Sequence, residues 1–121
     1  MAIQRILIVD DSPTERYYLS DILSRSGYTV SVAESGEEAL LKIKAEKPEL
    51  ILMDVVMPGA NGFQVTRSIA RDPELKDVPI IICSSKSQET DRIWALRQGA
   101  RDYLVKPVDP AELLGKIAAL N

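Results

Sequence analysis

The sequence has no histidine and a single cysteine, Cys83. The first absence removes an imidazole base, a His-containing nucleophilic triad and His-ligated zinc or haem from the chemistry open to this chain. Any metal must then be held by oxygen atoms, which favours a hard cation such as Mg²⁺. A lone cysteine inside an apolar run forms no internal disulfide and fits a reducing, cytoplasmic setting. No apolar stretch approaches the ~20 residues of a membrane span. The formal charge is −3 and the pI about 5.0, with Lys and Arg scattered. That excludes the basic footprint of a nucleic-acid or anionic-membrane binder. Met1 to Arg5 leads straight into an apolar run, leaving no room for a signal peptide. No linker or low-complexity segment divides the 121 residues. The expectation is one domain, residues 1–121.

What the sequence does have is a regular alternation of five apolar runs with five helical patterns. Arg5 to Val9 predicts a first strand. Ser12-Pro13-Thr14-Glu15 then opens a helix as a capping box, with Tyr18, Leu19, Ile22 and Leu23 inward and Gly27 as its stop. Tyr28 to Ala33 predicts a short alternating strand. Ser35-Gly36-Glu37-Glu38 predicts a second capping box, opening a helix with Ala39, Leu40 and Ile43 inward that ends near Lys47-Pro48. Leu50 to Gly62 is the central stretch: a continuous apolar run broken only by Asp54, then a Pro58-Gly59 turn. Such a run predicts a strand buried on both faces. Asn61 is placed to cap a third helix carrying Phe63, Val65, Thr66 and Ile69, ending before Asp72-Pro73. Pro79 to Cys83 predicts the fourth strand, and Gln88 to Gln98 the fourth helix, with Ile93, Leu96 and Ala100 at inward spacing. Trp94, one residue off that stripe, is either partner surface or packed under a neighbouring helix. Asp102 to Val105 predicts the fifth strand, closed by Lys106-Pro107. Asp109-Pro110-Ala111-Glu112 opens a last helix through Leu113, Leu114 and Ile117.

Strand–helix alternation predicts an α/β fold. It is a five-stranded doubly wound parallel sheet in the flavodoxin-like order 2-1-3-4-5, flanked by five helices. Its crevice lies between strands one and three, which end in Asp10-Asp11 and in Asp54. Carboxylates brought together at a few ångströms repel by several kcal/mol at an effective dielectric near 20, so they raise pKa values or recruit a cation. Mg²⁺ asks for six oxygens and keeps several waters. Asp10 or Asp11, Asp54 and the backbone carbonyl of Val56 are candidates for the protein's share. The competing role for Asp10-Asp11 is assistance to the Ser12 cap. A carboxylate beside a metal can also be a nucleophile toward phosphorus, given donors for the phosphoryl oxygens. Ser84, after strand four, and Lys106, after strand five, sit at the right edge to be that pair; taken singly, each reads as a turn serine and a solvated lysine.

These residues together make the chain resemble the receiver domain of bacterial two-component response regulators. The resemblance covers essentially the whole chain: Asp10-Asp11, Asp54, Met57-Pro58, Gly62, Ser84 and Lys106-Pro107, in order and on the right elements. It implies that Asp54 accepts a phosphoryl group from a histidine kinase, whose histidine this chain lacks. It implies Mg²⁺ (or Mn²⁺) held by Asp10, Asp11, Asp54 and the Val56 carbonyl, with Ser84 and Lys106 on the phosphoryl oxygens. Pro58, Gly62 and Pro107 would shape the turns, Lys106-Pro107 as a cis peptide. Ser84 and Tyr103 would form the switch, the ring turning inward as the hydroxyl moves toward the phosphate and altering the face of helix four, strand five and helix five. The alternative for Tyr103 is an ordinary half-buried aromatic. Val56 and Lys86 would tune the lifetime of the acyl phosphate.

The resemblance further implies a stand-alone, non-enzymatic regulator, monomeric or weakly dimeric, that signals to a protein target or drains phosphate from a shared kinase. The stretches Arg5 to Glu15 and Asp91 to Val108 look most like the chemotaxis-like regulators of type IV pilus twitching. The rival readings are weaker. A haloacid-dehalogenase-like phosphatase needs a second Asp two residues past the nucleophile, where Val56 stands. A flavin or nucleotide carrier needs a phosphate loop after strand one, where Asp10-Asp11 would repel phosphate. A phosphorylation-independent interaction module keeps the fold without using the acidic cluster.

Overall fold

Period-two alternation along the strands decides how the layers assemble. The computed structural model describes residues 2–59 and 61–121; Met1 and Ala60, in the expected leaderless start and central turn, lie outside the described residues. The strands are β1 (Arg5–Val9), β2 (Thr29–Ala33), β3 (Leu50–Asp54), β4 (Ile80–Ser84) and β5 (Asp102–Val105). They alternate with α1 (Pro13–Arg25), α2 (Gly36–Ala45), α3 (Gly62–Arg71), α4 (Glu89–Arg97) and α5 (Pro110–Leu120). All pairings are parallel, in the order β2-β1-β3-β4-β5. The expected fold is the observed one.

Successive side chains point to opposite faces of a strand. Ile6, Ile8, Leu50, Leu52, Ile81 and Cys83 therefore pack on one face with Leu19 and Leu23 of α1 and Leu113 and Ile117 of α5. Leu7, Val9, Ile51, Met53, Ile80 and Ile82 pack on the other with Ala39 and Ile43 of α2, Val65 and Ile69 of α3 and Ala95 of α4. Both faces are covered, so β1, β3 and β4 need apolar residues at successive positions, 6–9, 50–53 and 80–83, which is why these runs are continuous. β2 is an edge strand and keeps alternation, with Thr29 and Ser31 exposed.

Several local expectations are corrected. Ser12 and Ser35 do cap α1 and α2, accepting from the N–H groups of Glu15 and Glu38. Neither forms the reciprocal half of a capping box. The Ser12 N–H is taken by Asp10 Oδ1 (2.9 Å), and Glu38 accepts from the Glu34 N–H (2.7 Å) instead. At α3, by contrast, Asn61 and Gln64 form a complete reciprocal box. β2 begins at Thr29 rather than Tyr28, because Tyr28 belongs to the close of α1. There the Gly27 N–H bonds to Ser24 O and the Tyr28 N–H to Leu23 O, with Gly27 at φ +94°. That is the six-to-one, five-to-two closure that a left-handed glycine permits. α2 ends at Ala45 with Glu46 as its C-cap, near Lys47-Pro48 as expected.

The largest correction is α4. Ile93 and Leu96 are exposed, and Ala95 is the residue that meets the sheet. Apolar residues at 93, 94 and 96 wind around the helix rather than forming one stripe, and a small residue lets the backbone approach. Ala100 is buried, but beyond the helix: its N–H bonds to Ala95 O in the same closure, with Gly99 at φ +110°. A side chain on Gly99 would meet Ala70 of α3 at 2.5 Å. Trp94 is 46% exposed and, with Phe63, Arg67 and Gln98, lines a groove of about 270 Å³ between α3 and α4.

Candidate functional site

The strand register brings the carboxylates together. β1 and β3 pair with Val9 opposite Met53, so the next residues, Asp10 and Asp54, emerge side by side where the two central strands end. On the other flank, Asp54 pairs with Cys83 and Ser84 with Val105, which brings Ser84 and Lys106 to the same edge. The Lys106 N–H closes that edge by donating to Ser84 O at 2.8 Å. Carboxylate oxygens of Asp10, Asp11 and Asp54 all lie within 4.8 Å of one another. Asp10 is 2% exposed and Asp54 8%, whereas Asp11 faces solvent.

Lys106 offsets this charge. Its ammonium donates to Asp10 Oδ2 (2.8 Å) and to Asp54 Oδ1 (3.0 Å). Burial pushes the Asp54 carboxyl above the ordinary range, and the nearby Asp10 charge adds to this, while the Lys106 hydrogen bond works against it. Burial alone would lower the Lys106 pKa, but the bonds it donates to Asp10 and Asp54 outweigh it and raise the pKa. The ammonium therefore stays charged.

Two turns hold the frame. Past β3, the Gly62 N–H donates to Val55 O at 2.8 Å. A Cβ on Gly62 would stand 1.9 Å from the Asp54 carbonyl oxygen, so this position takes glycine alone. Lys106-Pro107 is a cis peptide, as the resemblance implied. Pro58 and Val56 are exposed at the rim of the same loop.

The β4–α4 loop joins the site to β5. Ser84 is buried, and its Oγ accepts from the Lys86 N–H at 3.1 Å. The Lys86 carbonyl accepts from the Tyr103 hydroxyl at 2.7 Å. The Tyr103 ring lies inward, in the core on the α2–α4 side, and burial raises its pKa. One loop thus touches both members of the expected switch.

An all-oxygen donor set with two buried carboxylates and a third open to water fits a hard divalent cation that retains several waters. A carboxylate so placed, beside a hydroxyl and an ammonium, has the parts needed to take up and hold a phosphoryl group. A family model described as "Response regulator receiver domain" matches residues 6–118. The chain belongs to the response regulator receiver domain family. It is 53% identical over 116 residues to "Protein PilH" of Pseudomonas aeruginosa, covering 96% of each chain. It is 40% identical over 120 residues to "Chemotaxis protein CheY" of Thermotoga maritima, covering 98% of this chain and 95% of that one. Against several longer curated relatives it spans about half their length. Among solved structures, a putative response regulator from Chloroflexus aurantiacus superposes with TM-score 0.93 at 34% identity, covering 97% of this chain and 96% of that one.

The structure brings Asp10, Asp11, Asp54, Ser84 and Lys106 together at the C-terminal edge of the sheet. Val56, Pro58, Gly62, Lys86 and Pro107 lie in the segments that follow the strands, whereas Tyr103 lies inside β5 and reaches the β4–α4 loop through its hydroxyl. The competing role for Asp10 is also present, because Asp10 Oδ1 accepts from the Ser12 N–H beside the α1 cap. The contact that was not foreseen is Arg16, which donates to the Asp10 carbonyl at 2.8 Å. An arginine on an exposed-looking helix face carries no local signal of such a contact. The described helices include none long and apolar enough to cross a membrane.

Proposed function

We propose that this receiver domain accepts a phosphoryl group on Asp54 from the phosphohistidine of a histidine kinase. The observation that carries the reading is the single ammonium of Lys106 bridging two buried carboxylates, Asp10 and Asp54. An Asp54 oxygen forms the new O–P bond as the N–P bond of the donor breaks, and the electron pair stays on the donor imidazole. Lys106 exchanges its bond to Asp54 for one to a phosphoryl oxygen, and the Ser84 hydroxyl donates to another. Asp10, Asp11, Asp54 and the Val56 carbonyl would hold Mg²⁺ (or Mn²⁺), which supplies charge stabilisation on the phosphoryl oxygens. Val56 and Lys86, both exposed near the site, control access of hydrolytic water and so the lifetime of the acyl phosphate.

Moving the Ser84 hydroxyl frees the Lys86 N–H that it now accepts from, and the same Lys86 residue is bonded to Tyr103. Phosphorylation thereby biases the surface of α4, β5 and α5 toward a protein target. Similarity along almost the whole length of PilH (53% identity) and of a chemotaxis protein (40% identity) supports a regulator of the single-domain type in chemotaxis-like control of type IV pilus motility, for which we propose a cytoplasmic setting. It acts on proteins and not on an external substrate.

The test is intact-mass spectrometry after incubation with acetyl phosphate, with and without Mg²⁺. A Mg²⁺-dependent, base-labile phosphoryl adduct that Asp54→Asn abolishes is the expected result. An adduct that persists in Asp54→Asn, or none with either acetyl phosphate or the kinase, refutes the proposal.

A further inference from the structure

We infer that Arg16 is a positioning residue for the acidic cluster, acting through the main chain of Asp10; the inference rests on the metal-dependent reading above. Asp10 is held at four atoms. Its N–H donates to Ala33 O (3.0 Å), Oδ1 accepts from the Ser12 N–H (2.9 Å), and Oδ2 accepts from Lys106 (2.8 Å). Its carbonyl accepts from Arg16 Nη1 (2.8 Å). The β1–β3 pairing ends at Val9 opposite Met53, so the Asp10 carbonyl lies one residue past the last ladder partner. A buried carbonyl there needs another donor, and the guanidinium supplies a charge-assisted one.

The Arg16 side chain is itself fixed. It is 14% exposed, and its Nη2 donates to Glu34 Oε1 at 3.0 Å. Glu34 directly follows Ala33, the last residue of β2 and the acceptor of the Asp10 N–H. One planar fork therefore ties the first turn of α1 to the ends of β1 and β2, with Asp10 between them. A lysine ammonium lacks the rigid two-nitrogen spread that serves both acceptors. When Lys106 turns to the phosphoryl oxygens, Asp10 keeps its orientation through the Ser12 N–H and this clamp.

The sign of the effect separates positioning from simple electrostatics. Arg16 is a positive charge close to a cation site, so removing it would, by charge alone, tighten Mg²⁺ binding. Removing a positioning contact loosens it, and loss of an outer partner of a metal ligand typically weakens metal affinity by 10- to 100-fold. The experiment is Mg²⁺ titration by isothermal calorimetry on the full chain, for wild type, Arg16→Ala, Arg16→Lys and Glu34→Gln, with circular dichroism confirming that each is folded. Arg16→Ala is expected to weaken Mg²⁺ binding by about 10-fold, and Arg16→Lys by at least about 3-fold despite its retained charge. Glu34→Gln, whose side chain is 68% exposed, should stay within about 2-fold of wild type. In acetyl phosphate reactions, Arg16→Lys should need more Mg²⁺ for half-maximal rate yet reach a near wild-type rate at saturating Mg²⁺. A merely structural role would not produce that split.

Equal or tighter Mg²⁺ binding by folded Arg16→Ala overturns the inference while leaving the phosphoacceptor reading intact. If Arg16→Ala does not fold, wild-type affinity in Arg16→Lys overturns it equally. A wild-type protein that binds no Mg²⁺ fails the underlying reading instead.

Discussion

Lys106→Met isolates the electrostatics of the site. At an effective dielectric near 20, the ammonium at 2.8 Å from Asp10 and 3.0 Å from Asp54 gains about 5–6 kcal/mol of gross attraction from each. The two carboxylates, within 4.8 Å of each other, repel by about 3 kcal/mol or more on the same scale. Desolvation of three buried or half-buried ions consumes much of the attraction, so the net worth of the lysine is far below its gross value. Removing it leaves the repulsion unopposed, and breaking a buried pair in this way costs about 3–5 kcal/mol. Methionine keeps the length of the stem, so lost packing contributes little.

The deficit must also depend on pH. Asp54 already has a raised pKa, and without Lys106 it rises further. A carboxyl raised in the folded state stabilises fully below its unfolded pKa and loses that contribution as pH rises through the folded value. The variant's deficit is therefore largest at neutral pH and shrinks toward pH 4. Urea unfolding in EDTA at several pH values measures it. Adding Asp54→Asn to Lys106→Met should recover at least half of the loss, because it removes one of the stranded charges. A deficit under about 1 kcal/mol at pH 7, or one indifferent to pH and to Asp54→Asn, would refute the reasoning.

Three further outcomes follow from the same geometry. Gly62→Ala forces a methyl group to 1.9 Å from the Asp54 carbonyl oxygen and should cost about 3 kcal/mol or more in urea unfolding; a near-neutral change would mean that the β3–α3 turn is not closed as described. The Cys83 thiol is fully buried with its pKa pushed up to about 12 by burial, so iodoacetamide at pH 8.5 should leave it unmodified until the protein unfolds. Rapid labelling of native protein, followed by mass spectrometry, would contradict that. Tyr103→Phe removes the bond to the Lys86 carbonyl and should destabilise by about 1 kcal/mol while leaving Mg²⁺ affinity unchanged. A change in Mg²⁺ affinity would place Tyr103 in the metal site rather than beside it.

Much of the fold was legible because its signals are local and repeated. Gly27 ends α1 through a left-handed backbone, Ser12, Ser35, Asn61 and Asp109 cap as their residue types predict, and Pro13 and Pro110 open helices. The expectations that failed depended on where a side chain reaches. Glu15 and Glu38 have the spacing of capping-box acids, but the Ser12 N–H was already taken by Asp10, and Glu38 found the Glu34 N–H closer. In α4, hydrophobicity pointed to Ile93 and Leu96, whereas close approach to the sheet required the small Ala95. Propensity reports backbone preference, and competition among partners is a tertiary matter.

The sequence by itself determined the order of elements, the two-faced burial of the central strands and the residue types that meet at one sheet edge. Each of these follows from chain-local chemistry: apolar periodicity, caps, and carboxylates at strand ends. Only the tertiary structure decided that Lys106 bridges Asp10 and Asp54, that Tyr103 is bonded to the Lys86 carbonyl, and that Arg16 holds the Asp10 main chain. Those contacts join residues 6 to 96 positions apart. The Lys106 and Tyr103 contacts exist because parallel register sets neighbouring strands and their loops side by side, and the Arg16 contact because the first turn of α1 stands beside the end of β1. A hydrogen bond needs that distance and angle before it contributes anything.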